Sequence, residues 1–306
     1  MTGATLEQAE IERLVGGPPR LALDDIVRHP RLPEARRAYL DAFLGLYSGD
    51  PFIVRLLIES GRFMVYHIAA ILEAGADPAR RDTWPTIKRL KETMTLFGFA
   101  SDRHVDQLVA RLCSVGFMEL KPAAEDRRVR ILSPSEKLRA HDRDWLAAHV
   151  TPLTILFPGH DYGPVMRREG PFHALYRRIS VPFLPLGAEL LLSLPDSLLF
   201  FNRAAGSVIE AALLQAAMAA PSYPHAAVPY ADIGERFGVS RTHVRQLLEA
   251  AEQAGLVKLH ARGGRRVEIL PRHWSSYDRG IAAGMYIHDM VYVATERAAR
   301  HGAASG

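Results

Sequence analysis

The sequence predicts a mainly α fold with small β-hairpin wings, assembled from two copies of one unit. Three observations carry this. The pattern S-x-x-H-V-x-Q-L occurs twice, at Ser101 to Leu108 and at Ser240 to Leu247, 240 − 101 = 139 residues apart. The same offset takes Gly116 onto Gly255 and Leu120 onto Leu259. After each serine, apolar residues recur at helical spacing, then give way to a short run with hairpin chemistry. A period of 139 residues is far too long for a solenoid unit, so a whole domain is duplicated.

The chain has 306 residues, enough for about two domains, with 48% hydrophobic and 24% charged residues as in ordinary soluble proteins. Its net charge of +4, from 38 Lys+Arg against 34 Asp+Glu, is only mildly basic. Nucleic-acid binding must therefore be argued from local patches. Cys113 is the only cysteine, which excludes an internal disulfide or a cysteine-rich zinc site and fits a reducing, cytoplasmic setting. The polar, acidic start MTGATLEQAEIERLV has no apolar h-region, so no signal peptide is expected. The apolar stretch from Val181 to Phe201 is broken by three prolines, a glycine and two acids, and no membrane span is expected.

The elements follow in order. Residues 1–34 read as a leader with one helical run, Leu6 to Val15, stopped by Gly16-Gly17-Pro18-Pro19. A first repeat over 35–150 opens with a helix from Ala35 to Tyr47. A long apolar helix from Phe52 to Ala74 follows, with Pro51 placed to start it. Residues 151–180, rich in proline and glycine, read as a connector. A second repeat over 181–306 returns the layout, with a long helix from Ser197 to Ala219. The helix 137–149, containing Asp142-Arg143, matches 273–299, containing Asp278-Arg279.

The second repeat is the cleaner. Tyr230 to Phe237 reads as a short helix, Gly238 as a turn where a positive φ costs little, and Ser240 as an N-cap. Val244, Leu247, Leu248 and Ala251 form the inner stripe of the next helix. Its other face carries Arg241, Thr242, His243, Arg245 and Gln246 in the first two turns. Those donors suit base edges, Arg toward guanine and Gln toward adenine. Gly255 ends the helix, and Leu256 to His260 and Val267 to Leu270 read as strands. Between them lies a tight tip with Arg262, Arg265 and Arg266, suited to phosphate or minor-groove contact. Helix, turn, helix and hairpin make a winged helix-turn-helix.

The first repeat has a helix from Thr86 to Leu96, a turn at Phe97-Gly98, a cap at Ser101 and an inner stripe of Val105, Leu108, Val109 and Leu112. Its outward donors are Arg103, His104, Gln107 and Arg111, with Arg127 and Arg128 at the hairpin tip. Asp102 and Asp106 stand where the second repeat has Arg241 and Arg245. This face is less cationic, so the two need not read one sequence.

Asp126-Arg127-Arg128-Val129-Arg130-Ile131-Leu132 resembles the wing of MarR-type transcriptional regulators, where a D-x-R tip leads into a strand and an L-T-x-x-G helix start. Here Leu132-Ser133-Pro134-Ser135-Glu136 lacks the glycine. The second repeat, with Gly238-Val239-Ser240-Arg241 and Gly255-Leu256-Val257, is also similar to the GntR-type signature. MarR-type proteins are usually homodimers of protomers about one repeat long. The resemblance thus implies tandem winged helix-turn-helix repeats packed as a pseudo-two-fold fused dimer. Such a chain would bind double-stranded DNA as a regulator of transcription, reading a pseudo-palindromic operator. The resemblance also implies a small aromatic effector, with Arg62, Tyr66 and His67 as pocket candidates.

Two other functions stay open. A plasmid-type replication initiator also carries tandem winged helices and would bind direct repeats. A non-DNA scaffold, like the tandem winged-helix subunits of bacterial condensins, would bind protein without salt sensitivity. The sequence holds no G-x-S-x-G, P-loop, G-x-G-x-x-G or paired cysteine, so no enzyme is expected. No cofactor is called for. The thirteen histidines show no ligand spacing and predict no metal site. Gly159-His160-Asp161-Tyr162-Gly163 reads as a polar turn or a piece of a pocket. Cys113 reads as an adventitious residue or a redox-sensing thiol.

Overall fold

The computed structural model describes residues 8–48, 62–98 and 101–304, with the side chains of 62, 63 and 302–304 outside that description. Fifteen helices longer than a 3-10 turn are described in these segments: α1 Gln8–Val15, α2 Leu23–Val27, α3 Leu32–Gly45, α4 Arg62–Ala74, α5 Ile87–Met94, α6 Asp102–Ser114, α7 Glu136–Leu156, α8 Gly163–Met166, α9 Gly170–Ser180, α10 Leu184–Leu192, α11 Pro195–Phe201, α12 Gly206–Ala219, α13 Tyr230–Phe237, α14 Arg241–Gln253 and α15 Pro271–Ala304. Two small antiparallel sheets complete a mainly helical protein. One pairs β1 Met118–Pro122 with β2 Arg130–Pro134; the other has the order β3-β5-β4, from His225–Ala226, Arg266–Ile269 and Val257–Ala261.

Each sheet is stitched to the segments before it by matched backbone bonds. Phe117 N donates to Leu112 O at 2.9 Å, and Leu256 N to Ala251 O at 2.9 Å. Leu132 N donates to Pro85 O at 2.8 Å, and Ile269 N to Pro224 O at 3.0 Å. Pro85 and Pro224 are 224 − 85 = 139 apart, the same offset as the two S-x-x-H-V-x-Q-L runs. The turn glycines Gly98 and Gly238 both take φ 68°, and Gly116 and Gly255 take 72° and 71°.

Two expectations are corrected. The connector over 151–180 is largely helical. α7 runs on through Pro152 to Leu156, and α9 is a central helix that buries His173, Tyr176, Arg177 and Ser180. Its prolines mislead because Pro164 and Pro171 stand in the first turns of α8 and α9, where a missing amide costs nothing. The helix expected from Ser197 to Ala219 is broken into α11 and α12. Ala205 takes a left-handed φ of 52°, and the chain folds so tightly that a Cβ on Gly206 would lie 1.9 Å from Phe200 O. The first half of the helix expected from Phe52 lies outside the described residues; the described part, α4, is helical.

One apolar core runs through both halves, from Ile26 and Leu40 through Leu153 to Phe200, Leu214 and Met290. Among the described residues, no single helix is long and apolar enough to cross a membrane. One pair, 170–192 with 195–201, passes on length and composition but is bent by 99°. Buried Arg177 sits on its first helix.

Candidate nucleic-acid interface and central cavity

The second unit presents its outward face as the residue pattern requires. Ser240 Oγ accepts from His243 N at 3.1 Å, fixing the start of α14. Val244, Leu247, Leu248 and Ala251 are sealed inside, which turns Arg241, Thr242, Arg245 and Gln246 to solvent. His243 departs from the expectation. It is half-buried, and its Nε2–H donates to Ala204 O at 2.8 Å, so it ties the outward helix to the α11–α12 turn. Ser240 is exposed, with its hydroxyl engaged as the cap.

The first unit repeats this arrangement with less positive charge. Ser101 Oγ accepts from His104 N at 3.3 Å. Arg103, Gln107 and Arg111 are exposed on α6, and His104 is half-buried. Asp106 accepts from Lys91 of α5 at 2.8 Å, so this face offsets a cation where the other unit offers Arg245.

The tips also differ. In the first, Arg128 folds back on Asp126 through Nε at 3.1 Å and Nη2 at 3.2 Å, and Arg81 joins the same carboxylate at 2.9 Å. Arg127 points outward. In the second, a 3-10 turn over Arg262–Gly264 leaves Arg262, Arg265 and Arg266 exposed. The turn depends on Gly264: it takes φ 79°, and a Cβ there would lie 2.1 Å from Val228 O.

The protein holds a cavity of about 340 Å³, walled by α3, α4, α7 and by helices α9 to α15 other than α13 and α14. Its lining is mostly apolar, with a few polar groups converging on it: Tyr39, His149, Tyr176, His288 and Glu210. Two tyrosine–histidine pairs meet there. His149 Nδ1–H donates to Trp145 O at 2.9 Å, so Nε2 accepts from the Tyr39 hydroxyl at 3.1 Å. The Tyr176 hydroxyl shares a hydrogen bond with His288 Nδ1 at 2.8 Å. The two imidazoles touch, with centroids 5.6 Å apart. Burial holds both neutral: His149 is pushed down to about 3, and His288 well below the ordinary range.

Of the pocket candidates, the Arg62 side chain lies outside the described residues. His67 does line the cavity, but it is committed elsewhere, with Nδ1 donating to Asp142 Oδ1 at 2.6 Å. Tyr66 is fully buried behind the wall, its ring 5.8 Å from that of His141.

Sequence reasoning missed what joins the halves. Arg36 of α3 donates from one Nη to both Asp278 oxygens of α15, at 2.8 Å each, and stacks over Trp274. Arg177 of α9 donates to Asp142 of α7 at 2.6 and 2.8 Å and lies against Trp145. Each leading helix thus gives an arginine to the long helix of the other half, and a tyrosine to the long helix of its own. The matched Asp142-Arg143 and Asp278-Arg279 held the signal, since both aspartates are the acceptors.

Asp142 also takes His67 and, at 2.8 Å, His173 Nε2. Burial opposes its charge, but Arg177 and these imidazoles hold the carboxyl well below the usual range. Asp278, with Arg36 alone, is pushed up by desolvation.

Cys113 is half-buried, and burial pushes its thiol up, the reverse of an activated thiolate. The Gly159–Gly163 cluster is a polar turn: Asp161 Oδ1 accepts from Gly163 N at 2.7 Å, and the Tyr162 hydroxyl donates to Asp289 at 2.6 Å.

Comparison of the chain with protein-family models, with curated proteins and with solved structures gives no match.

Proposed function

We propose that this chain is a sequence-specific, DNA-binding regulator of transcription, in which two winged helix-turn-helix units of one chain form a pseudo-two-fold fused dimer. The observation that carries this reading is the pair of serine-capped helices, α6 and α14. Each buries one stripe and turns Arg and Gln outward in its first turns, beside an arginine-tipped hairpin. Helices of this kind dock by their N-terminal residues in the major groove, while wings hold the backbone. The crossed Arg36–Asp278 and Arg177–Asp142 pairs support the fused-dimer arrangement.

Arg241, Thr242, Arg245 and Gln246 read one half-site, and Arg103, Gln107 and Arg111 the other. Arg127, Arg262, Arg265 and Arg266 contact phosphates. Asp106 on one face against Arg245 on the other suits an imperfect palindrome. The cavity of about 340 Å³ supports a ligand response, because it has the size and lining of a small-molecule site and lies where both halves meet. An aromatic or phenolic effector fits its mostly apolar wall, whose polar groups are tyrosine hydroxyls, neutral imidazoles, Glu210 and the Asp142-paired Arg177.

Selection of bound sequences from a random DNA pool at near-physiological salt tests this. Enrichment of an imperfect inverted repeat, with half-sites about one helical turn apart, is expected. Enrichment of direct repeats moves the reading to a replication initiator. No enrichment moves it to a protein-binding scaffold.

A further inference from the structure

We propose that His225, His260 and Glu268 form a site for a borderline divalent metal ion, Zn²⁺ foremost, clipped across the three strands of the second unit's sheet. This stands apart from the reading of DNA binding. One residue comes from each strand, and the three ligand atoms lie within 4.8 Å of one another. All three are partly exposed, with side-chain accessibilities of 20%, 29% and 28%, so an ion can reach them.

The sheet is built to bring them together. His225 stands directly opposite Glu268 in the β3–β5 pairing. On the other side, the β4–β5 register slips between Leu259 and Ala261, which leaves His260 as the extra, unpaired residue. An extra residue of this kind re-aims its side chain, and His260 Nε2 comes to 2.6 Å from Glu268 Oε2.

A lone His–Glu contact is an ordinary surface pair, and the third group changes its meaning. His225 Nδ1–H donates to Ser222 O at 3.0 Å, a backbone carbonyl that fixes its tautomer. Its Nε2 therefore carries the lone pair, and Arg266 Nη2 donates to it at 3.4 Å. That nitrogen lies 3.9 Å from Glu268 Oε2, close enough for both to face one ion. A divalent cation between them takes the lone pair that Arg266 holds only at 3.4 Å, and displaces the His260 proton from Glu268. A histidine whose far nitrogen donates to a carbonyl is the usual outer-shell support of a zinc ligand.

Two imidazole nitrogens and a carboxylate suit Zn²⁺ and leave the fourth tetrahedral position to water. Bonds of about 2.0–2.1 Å place donors about 3.3 Å apart, which side-chain rotation reaches from the present spacing. Arg266 and Lys258, the cations on this face, have exposed side chains and swing away. The sequence spacing hid the site because the ligands are 260 − 225 = 35 and 268 − 260 = 8 residues apart and meet only through strand pairing.

The test is titration of metal-free full-length protein with Zn²⁺ in competition with a chromophoric chelator. Visible spectra with Co²⁺ and a Mg²⁺ control accompany it. One tightest site per chain is expected, with four-coordinate Co²⁺ bands and no competition from Mg²⁺. His225→Gln, His260→Gln and Glu268→Gln should each weaken it by at least roughly tenfold, the lower cost of losing even an outer-shell partner. Circular dichroism checks folding, and His260→Gln, the most exposed position, decides alone if the others fold poorly. Wild-type protein that binds no Zn²⁺ overturns the proposal. So does affinity unchanged in His260→Gln, or Co²⁺ bands that persist in it.

Discussion

Arg177 and Asp142 meet through two hydrogen bonds, at 2.6 and 2.8 Å, with both side chains almost wholly withdrawn from solvent. Arg36 and Asp278 make the corresponding contact in the other direction, with Asp278 one-fifth exposed. Losing one partner of a buried pair strands the other charge, which costs about 3–5 kcal/mol. Arg177→Met should cost that much in urea unfolding. Arg36→Met should cost less, about 1–3 kcal/mol, because Asp278 is already pushed toward its neutral form. Equal losses would contradict the difference in burial.

Stability should fall as pH drops from about 6.5 toward 4. Unfolded imidazoles take up protons below about 6.5, whereas folded His149 waits until about 3 and His288 lies well below its ordinary value. The unfolded state then binds more protons, so stability is full above this window and is lost through it. Each histidine contributes up to about 1.4 kcal/mol per pH unit. Urea midpoints at stepped pH measure the slope, and His149→Gln should flatten it by about one proton. The Asp142 contribution has the other origin, being present above about 3.9 and lost only in stronger acid.

On DNA, Arg245→Ala should cost about 1–3 kcal/mol and relax preference at one base position. Arg265→Ala should weaken all sequences alike and lower the salt slope by about one. Binding isotherms at several salt concentrations, with matched and mismatched sites, separate the two. An Arg245→Ala protein of unchanged affinity and specificity would mean that α14 does not face the bases.

Two glycine substitutions should move stability in opposite directions. Gly264→Ala places a Cβ 2.1 Å from a carbonyl at φ 79° and should cost about 1–3 kcal/mol. Gly284→Ala, within α15 and with nothing near the added atom, should gain about 0.5–1 kcal/mol. Thermal melts of the two variants give the signs directly.

The parts of this protein that were legible in the sequence are those fixed by local chemistry. Ser101 and Ser240 cap, Gly238 turns, and the Val244–Leu247–Leu248–Ala251 stripe faces inward because neighbours a few residues away require it. What depended on distant segments was hidden. Nothing near His243 in the chain reveals that Ala204 claims its ring. The prolines at 164 and 171 look alike whether they break a connector or start a helix. Nothing near Arg177 in the chain reveals that α9 carries it to Asp142 of α7.

The crossed arginines have a consequence for how the molecule holds together at low concentration. Each half has a largely buried carboxylate whose arginine partner comes from the other half, so neither is electrostatically complete by itself. Because both donors belong to one chain, dilution cannot remove them, whereas association between separate chains weakens as concentration falls. The two outward faces therefore keep their pairing at a handful of copies per cell, and a change at one face leaves the buried pairs that join it to the other untouched.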